Sequence, residues 1–227
     1  LAGTARVFEF MDLKPGMPDK PGAIPLHDVV GTVRFEDVSF SYGNNGSAVP
    51  VIDHVNLEVP AGQVVALVGH SGAGKSTLVL GIAETLSATF GKDVLVIDAD
   101  TQASVSLMLM SAGTLHRLQA DGATIVDLLV ANVLKKVAVD WQRFVIAGVS
   151  DVQEARSVYL IPSDMQLTLF EREVSQEQAL VQLRASIGGL LGQLRAVFDI
   201  VLIDCPPGLS VVTESWLREA DFYVSPV

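Results

Sequence analysis

A chain of 227 residues that is 49% hydrophobic, with a mean hydropathy of +0.42, has enough apolar material for one substantial core, with or without a small satellite unit. Its formal charge of −11 and isoelectric point near 4.6 exclude an exposed basic surface that would hold DNA or an anionic membrane by counterion release, so no nucleic-acid partner is expected. A lone cysteine, Cys205, excludes an internal disulfide framework and suits the cytoplasm; no apolar run approaches the roughly 18 residues that cross a bilayer, and the first residues lack a signal pattern, so no membrane insertion is expected.

Residues 1–30 read as an arm and linker: Leu1–Phe10 is partly apolar, and Pro15, Gly16, Pro18, Pro21, Gly22 and Pro25 sustain neither a helix nor a central strand. Residues 31–63 are β-prone, with Val33, Phe35, Val38 and Phe40 before the turn-rich Gly43-Asn44-Asn45-Gly46-Ser47 and Val51, Val55, Leu57 and Val59 after it. They predict a small, largely antiparallel layer covering one edge of the site that follows.

The apolar run Val64–Val68 leads into Gly69-His70-Ser71-Gly72-Ala73-Gly74-Lys75-Ser76-Thr77, which fits G-x-x-x-x-G-K-[ST] in the strand, loop, helix context that this pattern requires. Glycines at Gly69, Gly72 and Gly74 let the loop close around a polyphosphate, so that backbone N–H groups of Ser71, Ala73 and their neighbours, with the helix N-terminus at Thr77, point at anionic oxygens. Lys75 then reaches the outer phosphates and the Ser76 hydroxyl is placed for Mg²⁺, which makes a nucleotide with Mg²⁺ the expected ligand.

The front of the chain resembles an exporter-type ABC transporter nucleotide-binding domain through Val33-Arg34-Phe35-Glu36-Asp37-Val38-Ser39-Phe40-Ser41-Tyr42, Pro60-Ala61-Gly62-Gln63 and Val65–Leu78. The resemblance implies ATP, with the ring of Tyr42 stacked on adenine; without the motif around it, Tyr42 would read as a sheet aromatic near a turn. Beyond the loop the likeness stops. There is no Leu-Ser-Gly-Gly-Gln signature, no glutamate directly after the second acidic strand and no switch histidine, His116 reading as solvated or capping.

Leu78, Val79, Ile82 and Leu86 recur at helical spacing up to Gly91. Val94-Leu95-Val96-Ile97-Asp98-Ala99-Asp100 then reads as a strand delivering two carboxylates on one face at its C-terminal end. Residues 101–120 are polar, small and Met-rich without a sustained period and predict a mobile loop or irregular helix, with Leu107–Met110 as core. Ile125, Leu128, Leu129 and Val133 mark a helix ending near Lys135 and Lys136, and Val158–Ile161 a strand stopped by Pro162-Ser163. Ser175 with Gln178 forms a capping box for a long helix through Leu180, Leu183, Ile187, Leu191 and Leu194. Asp199–Gly208 is a buried parallel strand ending at Asp204, the Walker B arrangement for the water shell of Mg²⁺, with Cys205 structural; Phe222–Val224 is the last strand.

This second half resembles the ParA and MinD group of P-loop ATPases, through Val94–Gln102, Leu160-Ile161-Pro162-Ser163, Ile200–Gly208, Glu219-Ala220-Asp221 and Ser225-Pro226-Val227. The resemblance implies that Asp100 holds the attacking water, that Asp204 supports Mg²⁺ and that Asp98 lies near the metal shell. It also implies a homodimer. The family's loop, however, reads Lys-Gly-Gly-x-Gly-Lys, and its first lysine, which reaches the partner's phosphates, is His70 here; the family normally continues past the position of Val227, so partition activity is not expected.

The expectation is therefore an engineered or recombined chimera: an arm and linker (1–30), an ABC-like β subdomain (31–63) and a P-loop NTPase core (64–227) that is ParA-like from about residue 75. Its fold should be a three-layer α/β sandwich with a mainly parallel sheet. A ParA-type core places the Walker B strand directly beside the P-loop strand, whereas an ABC core inserts another strand between them. The expected function is ATP and Mg²⁺ binding with weak hydrolysis or none, Lys75 and Asp100 being the catalytic pair; the alternatives are a chimera without turnover and a natural ParA-like ATPase or transporter energy module.

Overall fold

The computed structural model describes residues 32–40, 52–174 and 177–225. The arm and linker, Tyr42 with the turn after it, and the Ser175 cap lie outside the described residues.

The chain forms β1 (Val33–Phe40) and β2 (Ile52–Val59), then β3 (Gln63–Leu67), α1 (Lys75–Phe90), β4 (Val94–Asp98), α2 (Ser104–Leu109) and α3 (Ala112–Ala120). There follow α4 (Ile125–Leu129) with a π-helical turn at Val130–Leu134, β5 (Ile146–Ala147), β6 (Val158–Ile161), α5 (Leu167–Glu173), α6 (Glu177–Leu194), β7 (Ile200–Asp204), α7 (Val211–Glu219) and β8 (Phe222–Val224). Six strands make one sheet in the order β5-β6-β4-β7-β3-β8, parallel throughout except for β5 against β6. The Walker B strand β7 pairs directly with the P-loop strand β3, from Gln63 opposite Ile200 to Leu67 opposite Asp204, as the ParA-type reading requires.

Strands β4 and β7 are apolar at successive positions because both faces of the sheet are covered. On one face Val64, Leu95, Val201 and Ile203 pack with α4 and α6 through residues such as Leu128 and Leu191. On the other Val65, Val96 and Leu202 pack with Val79, Ile82 and Leu86 of α1. Helices on both faces of a mostly parallel sheet make the expected P-loop NTPase sandwich.

The separate antiparallel pair of β1 and β2 is also present. Its Phe35, Leu57 and Val59 line a small apolar recess with Val65, Ile82, Leu86, Ile200 and Leu202. Those partners are the middle of β3, the first and middle residues of β7 and the middle and later turns of α1, so the described part of this layer packs against that face of the core.

Residues 101–120 depart from expectation, forming two short helices. Ser111 caps α3 by accepting from Thr114 N, and Asp98 satisfies the Ser106 N–H in the first turn of α2. The helices are short, α2 burying Val105, Ser106 and Leu109 and α3 Leu115, which is too few positions in either to show a period. Of Leu107–Met110, only Leu109 is fully buried, while Leu107 and Met108 are 48% and 50% exposed. Gly188, within α6, fits for a different reason: a Cβ there would lie 2.9 Å from Glu219 Oε2 of α7. Among the described residues no helix is long and apolar enough to cross a membrane.

Leu202 is 1% exposed at the centre of the sheet, so Leu202→Ala should lower unfolding stability by about 2–5 kcal/mol in denaturant melts, whereas Val181→Ala, at a position 65% exposed, should change it by less than about 0.5 kcal/mol.

Candidate nucleotide site

The loop between β3 and α1 sits at the carboxyl edge of the sheet. Gly69, Gly72 and Gly74 have φ of +147°, +83° and +76°, conformations that side chains disfavour. Gly74 occupies the N-cap of α1, and no side chain among the described residues caps this helix, which leaves its first N–H groups for an anion. Ala73 N donates to His70 O at 3.2 Å and closes the turn. His70, Ser71 and Gly72 form the exposed rim, and Thr77 is half-buried in the first turn of α1. Lys75 is buried, and its Nζ donates to Gly69 O and His70 O, each at 3.0 Å. The ammonium group is thus already folded over the loop, held by two carbonyls that a phosphate could replace.

Sheet register brings the acidic residues together. Asp204 stands opposite Leu67 on one side and Asp98 on the other. Ser76 Oγ donates to Asp204 Oδ2 at 2.7 Å, while Asp204 Oδ1 is buried and has no hydrogen-bond partner among the described residues. Burial pushes the Asp204 carboxyl up to about 6, the Ser76 bond and Lys75 opposing and Asp100 adding to the rise. A hydroxyl beside a desolvated carboxylate with one unused oxygen fits hydrated Mg²⁺. Among the described residues no three His, Cys, Asp or Glu side chains form a ready-made cage, so such an ion would complete its shell from phosphate and water.

Asp98 lies next to Asp204 but is turned to other work. Its Oδ2 accepts from Ser106 N at 2.9 Å and Ser106 Oγ at 2.7 Å, and its Oδ1 accepts from Asp100 N at 3.2 Å. Burial pushes its carboxyl up to about 7, with neighbouring Asp204 adding to the rise and Ser106 opposing it. Asp100 falls past the end of β4, so strand alternation does not set its direction. Its Oδ1 accepts from Gln102 N at 2.9 Å, and it lines a solvent-open cleft with Gln102, Thr168, Glu171, Pro206 and Ser210. Cys205 is buried, its thiol pushed up to about 12 chiefly by desolvation, which keeps it unreactive.

The structure therefore brings together Gly69, Ser71, Gly72, Ala73, Gly74, Lys75, Ser76, Thr77, Asp98, Asp100 and Asp204 at one end of the sheet; Tyr42 lies outside the described residues. Sequence reasoning missed Ser106 and Ser163, and the Thr168, Glu171 and Ser210 wall of the cleft. The signals for Ser163 were the Pro162-Ser163 stop, which ends β6 in the row beside Asp98, and its place in the ParA-like run Leu160–Ser163, neither of which gave it a role.

A family model described as "AAA domain" matches residues 62–227. The chain belongs to that AAA domain family. Its loop, neighbouring Walker B strand and paired acidic strand ends make it a P-loop ATP-binding domain, related to ABC exporter ATP-binding proteins and to ParA-like proteins. The ATP-dependent lipid A-core flippase of Desulfotalea psychrophila is 47% identical over 78 residues, covering 34% of this chain and 13% of that protein. The Beta-(1→2)glucan export ATP-binding/permease protein NdvA of Mesorhizobium japonicum is 30% identical over 203 residues, 82% of this chain and 34% of that protein. Among solved structures, a plasmid partition protein from Borrelia burgdorferi is 27% identical with a TM-score of 0.55, covering 73% of this chain and 65% of that one. Cobyrinic acid a,c-diamide synthase from Mycobacterium smegmatis, solved with bound ADP and magnesium, shares the fold at 24% identity and a TM-score of 0.56, over 73% of this chain and 59% of that one. The AAA domain chain thus spans a small part of these exporters and about three-fifths of the solved neighbours.

The raised Asp98 carboxyl has a consequence for stability. In the unfolded chain it would lose its proton near the ordinary aspartate value, and in the folded chain only near 7, so its contribution is fully present below the unfolded value and lost as pH rises toward 7. The stability of Asp98→Asn relative to wild type should therefore rise between about pH 4 and pH 7 and level off above, as read by thermal or denaturant melts across that range.

Proposed function

We propose that this AAA domain chain binds ATP with Mg²⁺ and hydrolyses it slowly. The observation that carries the reading is the buried, unpartnered Asp204 Oδ1 beside the Ser76 hydroxyl, within reach of the loop that Lys75 folds over. Lys75 leaves the Gly69 and His70 carbonyls for the outer phosphates. Ser76 and Asp204 hold the metal ion, whose charge, when bound, offsets that of the phosphate oxygens. Asp98 serves that shell from behind, through its register neighbour Asp204. Asp100 orients the attacking water from the rim of the cleft, and Tyr42 stacks on adenine.

The slow rate follows from His70 at the position where ParA-like loops carry the lysine that reaches a partner's phosphates. For the same reason a homodimer would form without that contact, and a binder without turnover is the second reading, favoured by the same substitution. The reading includes a fused origin, with an ABC-exporter-like front to about residue 78 and a ParA-like core from about residue 75. It is supported by the direct β3–β7 pairing behind an exporter-like loop sequence. An acidic chain of this kind works in the cytoplasm without holding nucleic acid.

Lys75→Ala should abolish detectable binding of a fluorescent ATP analogue. Asp204→Asn should bind it with an affinity that no longer improves when Mg²⁺ is added, and chelation should bring wild type to the same level. Asp100→Ala should retain binding within about twofold and lower phosphate release by 10²-fold or more, on the order of the effect of removing a positioned proton-transfer group. Phosphate release equal in wild type, Lys75→Ala and Asp100→Ala would remove the hydrolysis claim and leave binding standing.

A further inference from the structure

Behind Asp100 lies a closed ring of hydrogen bonds that the phosphate chemistry does not use. Asp98, Ser106 and Ser163 are 0% exposed. Asp98 Oδ2 accepts from Ser106 N and Oγ, and Ser106 Oγ accepts in turn from Ser163 N at 3.2 Å. Ser163 Oγ donates to Asp100 O at 2.6 Å, and Asp100 N donates back to Asp98 Oδ1. The four residues come from the end of β4, the loop after it, α2 and the loop after β6, so no single element could maintain the arrangement. Gln119 of α3 adds a bond from Nε2 to Ser163 O at 3.3 Å, which fixes the serine from outside the ring.

The loop that this ring holds is under strain. Ala103 has φ +51°, unfavourable for a residue with a Cβ, and Asp100 O accepts from Ala103 N at 2.9 Å as well as from Ser163. The Asp100 carboxylate meanwhile accepts only from Gln102 N among the bonds described and borders the solvent-open cleft. A flexible acidic loop would sample many directions for that carboxylate; here its backbone is clamped at N and O, and the side chain is left at the cleft.

We propose that Ser163 is a positioning residue for turnover: its backbone is held at N by Ser106 and at O by Gln119, and its hydroxyl clamps the Asp100 carbonyl and so sets the Asp100 carboxylate toward the attacking water. The proposal rests on the reading of Asp100 given above. Ser163 shares no hydrogen bond with the phosphate loop among the described residues, so its loss should leave nucleotide affinity alone and act on the rate. Positioning of this kind loses large factors for small displacements, because the reactive geometry tolerates little error.

The test uses the whole chain as Ser163→Ala and as Ser163→Thr, which keeps the hydroxyl. Three quantities are measured: the Kd of a non-hydrolysable ATP analogue, phosphate release, and amide exchange at Gln102 and Ala103, whose N–H groups bond to Asp100. Ser163→Ala should bind within about twofold of wild type, release phosphate about 10- to 100-fold more slowly, and exchange those two amides about tenfold faster, with β4 and β7 unchanged. Ser163→Thr should restore both rate and protection. Unchanged exchange at Gln102 and Ala103 overturns the proposal, as does unchanged phosphate release in a background where Asp100→Ala abolishes it. Equal release by wild type and Asp100→Ala removes the reading of Asp100 and the proposal with it; exchange distinguishes that case from a failed clamp. If Ser163→Ala does not fold, Ser106→Ala opens the same ring one bond away and is judged by the same outcomes.

Discussion

The hydrogen bond from Ser76 Oγ to Asp204 Oδ2 is the contact on which the rest of the site depends. It ties the first turn of α1 to the end of β7, and it exists only because β7 lies directly beside β3 in register, Asp204 level with Leu67. An intervening strand, spaced at about 5 Å, would move the carboxylate out of reach of the hydroxyl. The sheet order is therefore part of the chemistry. It brings an acid, a hydroxyl and an ammonium group within one small volume at the carboxyl edge, where parallel sheets characteristically hold ligands.

Three carboxylates at one strand edge would be unfavourable without division of labour. Burial favours the neutral form of Asp98 while its three donors support the charged one, and its bonds brace the turn leading to Asp100. Asp204 keeps one bonded and one free oxygen, which leaves it prepared for an ion and costly to leave empty. Asp100 is placed on the rim. The same residue type thus performs three tasks, decided by how many donors surround each carboxylate and how far each sits from solvent.

Much of this was legible in the sequence because its signals were local. The loop Gly69–Thr77, the apolar strands ending in Asp98 and Asp204, and the glycine stop at Gly91 each announce themselves within about ten residues, and the β3–β7 neighbourhood followed from the resemblance of residues 94–102 and 200–208. Other features were hidden by physics that a linear pattern does not carry. Helices α2 and α3 are too short and too exposed to show a period, since few of their side chains reach the core. The Ser106–Ser163 link joins residues 57 positions apart through one hydroxyl, and serine carries no periodic signal. The apolar residues of β1 and β2 showed that a layer would form, but not that its described part would pack against Val65, Ile82, Leu86, Ile200 and Leu202. The exporter-like sequence of the front and the ParA-like order of the sheet coexist in one chain around the same strand, loop and helix.

The central claim is that the loop, Ser76 and the free oxygen of Asp204 form one Mg²⁺-nucleotide site. Its most direct measurement is a crystal structure of the chain with Mg²⁺ and a non-hydrolysable ATP analogue. Phosphates should lie inside Gly69–Thr77, with Lys75 Nζ moved from the Gly69 and His70 carbonyls to a phosphate oxygen and an ion beside Ser76 Oγ with one of its waters on Asp204 Oδ1. A nucleotide bound elsewhere, with Lys75 still on the loop carbonyls and Asp204 Oδ1 still unpartnered, would contradict that claim.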